Sequence, residues 1–282
     1  MIFMGGTLFS DANAAFSNSR YVIFGAPLDI TGTHRRGSAE APEAIREESY
    51  TYESFMPDIG IDLSLVPTHD FGDLPMKRPR EEILETVRSI LKEKKVPIMM
   101  GGEHSVSPYA IEAFTDISVL VFDAHLDYRE DWKGDRNNHA CATRRMADHV
   151  TPKRIIPVGI RSICKSEFED AKRHGLDYIT ADKAREMGTK KLMQHIDKML
   201  PGNLYISLDI DGIDPAYAPG TGTPEPYGLD PIMVRDIIRH VAGRTVGFDL
   251  LEVCPPSDNG NTAALAARII KDFIGAREKA LQ

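Results

Sequence analysis

Cysteine, surplus positive charge and long apolar runs are all scarce in this chain of 282 residues. Its three cysteines, Cys141, Cys164 and Cys254, are odd in number and widely spaced, with no C-x-x-C. Neither a disulfide framework nor a zinc knuckle is indicated, and a reducing compartment is the simplest setting. Lys and Arg number 34 against 42 Asp and Glu, a formal charge of −8. This argues against general nucleic-acid binding, which needs a basic face to replace the counterions around phosphates. A cationic ligand suits the balance better, although net charge mostly reports solubility. No apolar run approaches the ~20 residues of a membrane span. The N-terminal stretch MIFMGGTLFSDANAAFSNSR has no basic residue before Arg20 and no sustained apolar core, unlike a secretory signal. A cytoplasmic protein without a membrane partner is the expectation.

What is present is a rhythm. Apolar runs read as strands at YVIFGAPL (21 to 28), VPIMMGG (96 to 102), ISVLVFDAH (117 to 125), RIIPVGI (154 to 160), LDYIT (176 to 180), LYISLDI (204 to 210) and TVGFDLLEV (245 to 253), with a weaker one near LVPTHDF. Helical patterns lie between them, among them 80 to 95, 190 to 200, 231 to 243 and a last one from about Thr262 to Lys279. This βαβα alternation implies a mostly parallel sheet with helices on both faces. No internal repeat, low-complexity tract or linker-like shift interrupts it, so a single domain over residues 1–282 is expected. Three irregular segments, 29 to 41, 126 to 140 and 211 to 228, are longer than ordinary connections. Long ordered loops tend to be functional, and open α/β sheets bind ligands beyond the carboxyl ends of their strands.

Two of those loops open with acids. In VLVFDAHLDYRED, four apolar residues lead directly into Asp123, His125 and Asp127, spaced two apart so that an extended chain would aim them at one point. LYISLDIDGIDP repeats the geometry with Asp209 and Asp211, and MMGGEHS adds His104 behind a glycine pair that permits a tight turn. Two imidazoles and four carboxylates exceed what a single ion collects. Two divalent cations fit, and oxygen-rich ligation with one nitrogen per metal favours Mn²⁺ over tetrahedral zinc. Four gathered carboxylates would otherwise raise one another's pKa values. Alone, a D-x-D after a strand is usually a turn or helix cap and His104 a hydrogen-bonder; three such groups at predicted strand ends make coincidence a poor account.

These motifs, with GGEHS at 101 to 105, DAHLD at 123 to 127, SLDIDGIDPAYAPGTGTPEP at 207 to 226 and DLLEVCP at 249 to 255, closely resemble the signatures of the ureohydrolase family, which contains the arginases and agmatinases. The resemblance spans nearly the whole chain. It implies a three-layer α/β/α arginase fold around a central, mostly parallel eight-stranded sheet, assembled into trimers or hexamers. It also implies two Mn²⁺ per chain, with His104 and Asp127 on one ion, His125 and Asp211 on the other, and Asp123 and Asp209 bridging. His139 in NNHACATRR matches the family's mobile proton-shuttling histidine, and Glu252 the acid that pairs with the substrate guanidinium. Glu103, where many relatives have aspartate, is not expected to remove activity.

The implied chemistry is consistent with elementary reasoning. A guanidinium stays protonated and its carbon is a poor electrophile, so hydroxide must be made at neutral pH. Two metals ~3.5–4 Å apart can hold a bridging water and lower its pKa. Glu252 would orient the planar cation, and His139, titrating near neutrality in a polar loop, would protonate the leaving amine. The amino-acid clamp of arginases is not evident: DRNNHA and GIRSICKSE differ from it, with Ser162 in place of an aspartate, while GIRS and GTGTPEP look more like agmatinases. Agmatine hydrolysis to putrescine and urea, a polyamine-forming reaction, is the expected function. Guanidinobutyrase or another guanidino-acid hydrolase is the alternative, and Glu225 and Asp135 are loop carboxylates that could receive a substrate amine. A silent metal-binding regulator would have lost ligands, and a zinc deacetylase would leave the His104 group unused.

Overall fold

The computed structural model describes residues 7–282; the first six residues of the N-terminal stretch read above lie outside the described residues. Strands are β1 (Tyr21–Ala26), β2 (Phe55–Met56), β3 (Ile61–Asp62), β4 (Thr68–Asp73), β5 (Val96–Gly101), β6 (Ile117–Phe122), β7 (Ile155–Ile160), β8 (Ile179–Thr180), β9 (Asn203–Asp209) and β10 (Thr245–Leu251). Helices are α1 (Ala41–Ser49), α2 (Pro79–Lys92), α3 (Ser107–Ile111), α4 (Ala142–Met146), α5 (Lys165–His174), α6 (Ala181–Met199), α7 (Pro231–Val241) and α8 (Asn261–Ala280). Eight strands form one sheet in the order β4-β1-β5-β10-β9-β6-β7-β8, every pairing parallel, while β2 and β3 make a small antiparallel ladder.

Strands β1, β5, β6 and β7 are almost wholly apolar because both sheet faces are covered, whereas the edge strand β4, THDFGD, is only partly buried. Tyr21 and Ile23 of β1 and Leu120 and Phe122 of β6 join a core shared with α1, α6, α7 and α8. Their alternates, Val22, Phe24, Val119 and Val121, join a second core under α2, α3, α4 and α5. Helix α7 shows how the local sequence selects its place. Asp230 caps the Ile232 N–H at 2.7 Å, Pro231 starts the helix, and the buried stripe Val234, Ile237, Ile238, Val241 repeats at i, i+3, i+4, i+7. Each of those side chains contributes about 1.5–3 kcal/mol on burial, against about 1 kcal/mol for the cap.

Differences from the sequence reading are concentrated at element ends. The strands expected to run through 125, 210 and 253 stop at Phe122, Asp209 and Leu251, where the ladder gives way to functional loops. LDYIT contributes a ladder only at Ile179–Thr180. The helix expected from 190 begins at Ala181, capped by the Thr180 side chain. Non-helical Gly188 (φ 68°) interrupts it and hides its first half from a periodicity reading.

Candidate metal centre

Four strands that are neighbours in space but scattered in sequence, β5, β10, β9 and β6, end at one place. His104 follows β5, Glu252 follows β10, Asp209 and Asp211 sit at the end of β9, and Asp123 to Asp127 follow β6. Two glycines allow the segments to close up. A side chain at Gly102 would put its Cβ 2.0 Å from the Leu28 carbonyl, and one at Gly212 would lie 2.7 Å from the Asp123 nitrogen.

All six ligand positions anticipated from the sequence come together. His104 Nδ1 lies 3.2 Å from Asp123 Oδ2, 3.3 Å from Asp209 Oδ2 and 3.4 Å from Asp127 Oδ2. His125 Nδ1 lies 2.9 Å from Asp211 Oδ2 and 3.7 Å from Asp123 Oδ1. Two donor trios result, His104 with Asp123 and Asp209, and His125 with Asp123 and Asp211; Asp123 belongs to both. The convergence does not come from the straight alternation expected of an extended chain. The strand ends at Phe122, the backbone bends at Ala124, and Asp127 takes a left-handed conformation (φ 49°) that turns its carboxylate back toward His104.

The donors fit cations better than they fit one another. His104 Nδ1 and Asp123 Oδ2 are fully buried and have no hydrogen-bond partner among the described residues, a costly state unless something else completes them. His104 Nε2 lies 3.2 Å from Ser207 Oγ, whose own proton goes to Ser107 Oγ at 3.2 Å. Ser207 therefore accepts from Nε2–H, which leaves Nδ1 as the ring nitrogen that faces the carboxylates and the one a metal ion would take. Burial and the neighbouring charges of Asp211 and Asp123 push Asp209 well up. Burial and Asp123 bring Asp127 to about 6. Asp123 is buried too, but the two imidazoles outweigh that and hold it below the usual carboxylate range. Burial disfavours charge on both imidazoles, yet the carboxylates around them win and raise both.

Beside the centre lie Glu252 and His139. Glu252 also has a left-handed backbone (φ 63°), held by its N–H bond to the Gly102 carbonyl at 2.7 Å. Its Oε1 accepts the His104 backbone N–H at 2.8 Å and lies 3.2 Å from His139 Nδ1. His139 is not poised near neutrality, as its polar loop suggested. It is buried, and although burial disfavours the imidazolium, the Glu252 carboxylate outweighs this and pushes its pKa up to about 9. Its Nε2 lies 3.2 Å from Thr33 Oγ1, and its backbone N–H donates to Thr31 Oγ1 at 2.9 Å. Neither threonine was singled out from the sequence, although the long 29 to 41 loop that carries them was.

A cleft of ≈ 300 Å³ opens over these groups, lined also by Arg129, Trp132 and Ser162. Glu225 Oε1 lies 3.7 Å from His125 Nε2. Arg161 holds its loop, donating from Nη2 to the carbonyls of Asp211 and Glu225, both at 2.6 Å. GIRS thus acquires a physical role that sequence spacing alone did not supply. Asp135 accepts the Asn137 N–H at 2.9 Å and is not among the residues lining the cleft.

The arginase family's sequence profile matches residues 19–275. An agmatinase of Bacillus subtilis is 34% identical over 282 residues, covering 95% of this chain and 96% of that one. The N(1)-aminopropylagmatine ureohydrolase of Thermococcus kodakarensis is 32% identical over 270 residues, covering 93% and 92%. The crystal structure of agmatine ureohydrolase from Thermoplasma volcanium superposes with a TM-score of 0.94 at 39% identity, covering 98% of this chain and 96% of that one. With sequence and fold matched along almost its whole length, the chain belongs to the arginase family.

Proposed function

We propose that this arginase-family hydrolase cleaves a guanidino compound at a centre of two Mn²⁺ ions, with agmatine, giving putrescine and urea, as its first substrate. The observation that carries the reading is the pair of buried ligand atoms, His104 Nδ1 and Asp123 Oδ2, that lack a hydrogen-bond partner among the described residues inside a cluster of four carboxylates. His104 and Asp127 would hold one ion, His125 and Asp211 the other, with Asp123 and Asp209 between them. The chemistry such a pair supplies when bound is a nucleophilic hydroxide at neutral pH.

The remaining work falls to the chain. Glu252, fixed by the His104 N–H, pairs with the planar guanidinium through charge-assisted hydrogen bonds, orients its carbon and discriminates against neutral amides. His139 holds a proton at Nδ1 beside Glu252 and passes it to the leaving amine. The agmatine assignment is supported by the relatives' names, by GIRS and GTGTPEP, and by the nearby Glu225 carboxylate. A second reading, a guanidino-acid substrate, is favoured by Arg129, a cation on the cleft wall with Glu167 3.4 Å away. One domain over residues 1–282, assembled as a homo-trimer or hexamer and working in the cytoplasm in polyamine formation, completes the proposal. No helix among the described residues is long and apolar enough to cross a membrane.

After Mn²⁺ loading, urea release measured across agmatine, arginine and guanidinobutyrate is expected to be fastest from agmatine. Fastest release from arginine would overturn the substrate assignment, and one zinc per chain with no manganese uptake would overturn the two-ion centre.

A further inference from the structure

The start of the 29 to 41 loop is held by one buried carboxylate outside the set of proposed ligands. Glu103, fully buried between β5 and His104, accepts on Oε2 the backbone N–H groups of Ile30 (2.9 Å), Thr31 (2.6 Å) and Gly32 (3.1 Å). Its Oε1 accepts the hydroxyls of Thr31 (2.9 Å) and Ser105 (2.6 Å). Three successive N–H groups closing on one oxygen form an anion nest, and bonds to an ionised acceptor are the stronger kind. Little else orders this segment from within: Ile30, its large apolar residue, is 67% exposed. The loop's far side has its own tie, Asp29 Oδ2 accepting the Gly37 N–H at 2.6 Å, which leaves the backbone N–H groups of residues 30 to 32 to Glu103.

The Thr31 hydroxyl has a single proton, and it goes to Glu103. Its lone pairs are thereby free to accept the His139 backbone N–H. The same loop carries the Thr33 hydroxyl beside His139 Nε2 and the Thr31 carbonyl that accepts from Asn138 Nδ2 at 3.3 Å. We infer that Glu103 is a positioning residue for His139, which it sets in place through the nest and the Thr31 hydroxyl. This rests on the proposed role of His139 as proton donor. A group that must meet a leaving nitrogen at hydrogen-bond distance loses up to about 100-fold in rate when displaced by about 1 Å.

The test uses the full-length, Mn²⁺-loaded protein. Thr31→Val keeps the side chain's shape and the nest but removes the hydroxyl. It should lower kcat about tenfold with KM unchanged, because general-acid placement acts on the chemical step. Thr31→Ser, which restores the hydroxyl, should return kcat to near the wild-type value. In Glu103→Gln one acceptor oxygen cannot take five bonds, so the amides of Ile30, Thr31 and Gly32 should exchange hydrogen at least about tenfold faster than in the wild type. Wild-type kcat in Thr31→Val, or unaltered exchange at 30 to 32 in Glu103→Gln, overturns the inference while leaving the hydrolase reading standing. A wild-type protein that releases no urea from any guanidino compound overturns both.

Discussion

Two of the charged clusters inside this molecule are built on opposite principles. Under the β4 edge, Arg46 meets Asp70 with two parallel bonds (Nε–Oδ2 2.8 Å, Nη2–Oδ1 3.0 Å) and reaches Asp73 at 2.5 Å. Backbone N–H groups of Phe9 and Gly72 take up the remaining valences of Asp70. The chain completes that cluster with its own atoms. At the ends of β5, β9 and β6 it gathers four carboxylates against two imidazoles and leaves a ring nitrogen and a carboxylate oxygen without hydrogen-bond partners among the described residues. Matched buried charge holds a structure together; mismatched buried charge is a site that something from outside must complete.

Three substitutions press on that contrast. The largest effect belongs to the incomplete cluster. Asp123→Asn removes the carboxylate common to both donor trios and should abolish urea release and sharply lower manganese content by metal analysis; retained turnover would show the ligand assignment wrong. Next is Arg46→Met, which strands a buried Asp70 charge and should destabilise the fold by about 3–5 kcal/mol. The denaturant midpoint reads this, while kcat of the folded fraction stays at the wild-type value. A matching loss of activity in that fraction would mean that the two clusters are not separate devices.

The smallest and most local is His139→Asn, expected to lower kcat about 100-fold with manganese content intact; lost metal would make His139 a ligand instead. A pH profile sharpens it. Because Glu252 raises His139 to about 9, the donor holds its proton at neutrality, and kcat/KM should fall on the alkaline side near pH 9 in the wild type but lack that limb in the variant. The sign for stability is the same: the pairing contributes fully below the ordinary histidine range and is lost as pH rises through about 9.

How much of this was legible in the sequence depended on whether a residue's role is carried by its own neighbours in the chain. Asp123, His125, Asp127, Asp209 and Asp211 announced themselves because two acidic groups, each directly after a strand fit to be buried on both faces, are more than turns and caps account for. His104 needed its glycine pair and its company. Thr31, Thr33 and Ser207 were silent, since a hydroxyl has no pattern of its own and gains meaning only from what stands opposite. The titration of His139 was misjudged for a related reason: a loop rich in asparagine offers no charge to shift an imidazole, and only the tertiary approach of Glu252 does.

By itself the sequence determined the alternation of strands and helices, the apolar character of both sheet faces and the chemical types of the six proposed ligands. Those follow from periodicity and from the cost of burying charge, which act on neighbouring residues. Tertiary structure alone decided that β5, β10, β9 and β6 lie side by side, so that acids about 85 residues apart meet in one candidate cation site. It also decided that left-handed turns at Asp127 and Glu252, rather than strand pleating, aim those side chains inward. Strand order is set by how helices pack over a sheet, and that packing is a property of the whole chain.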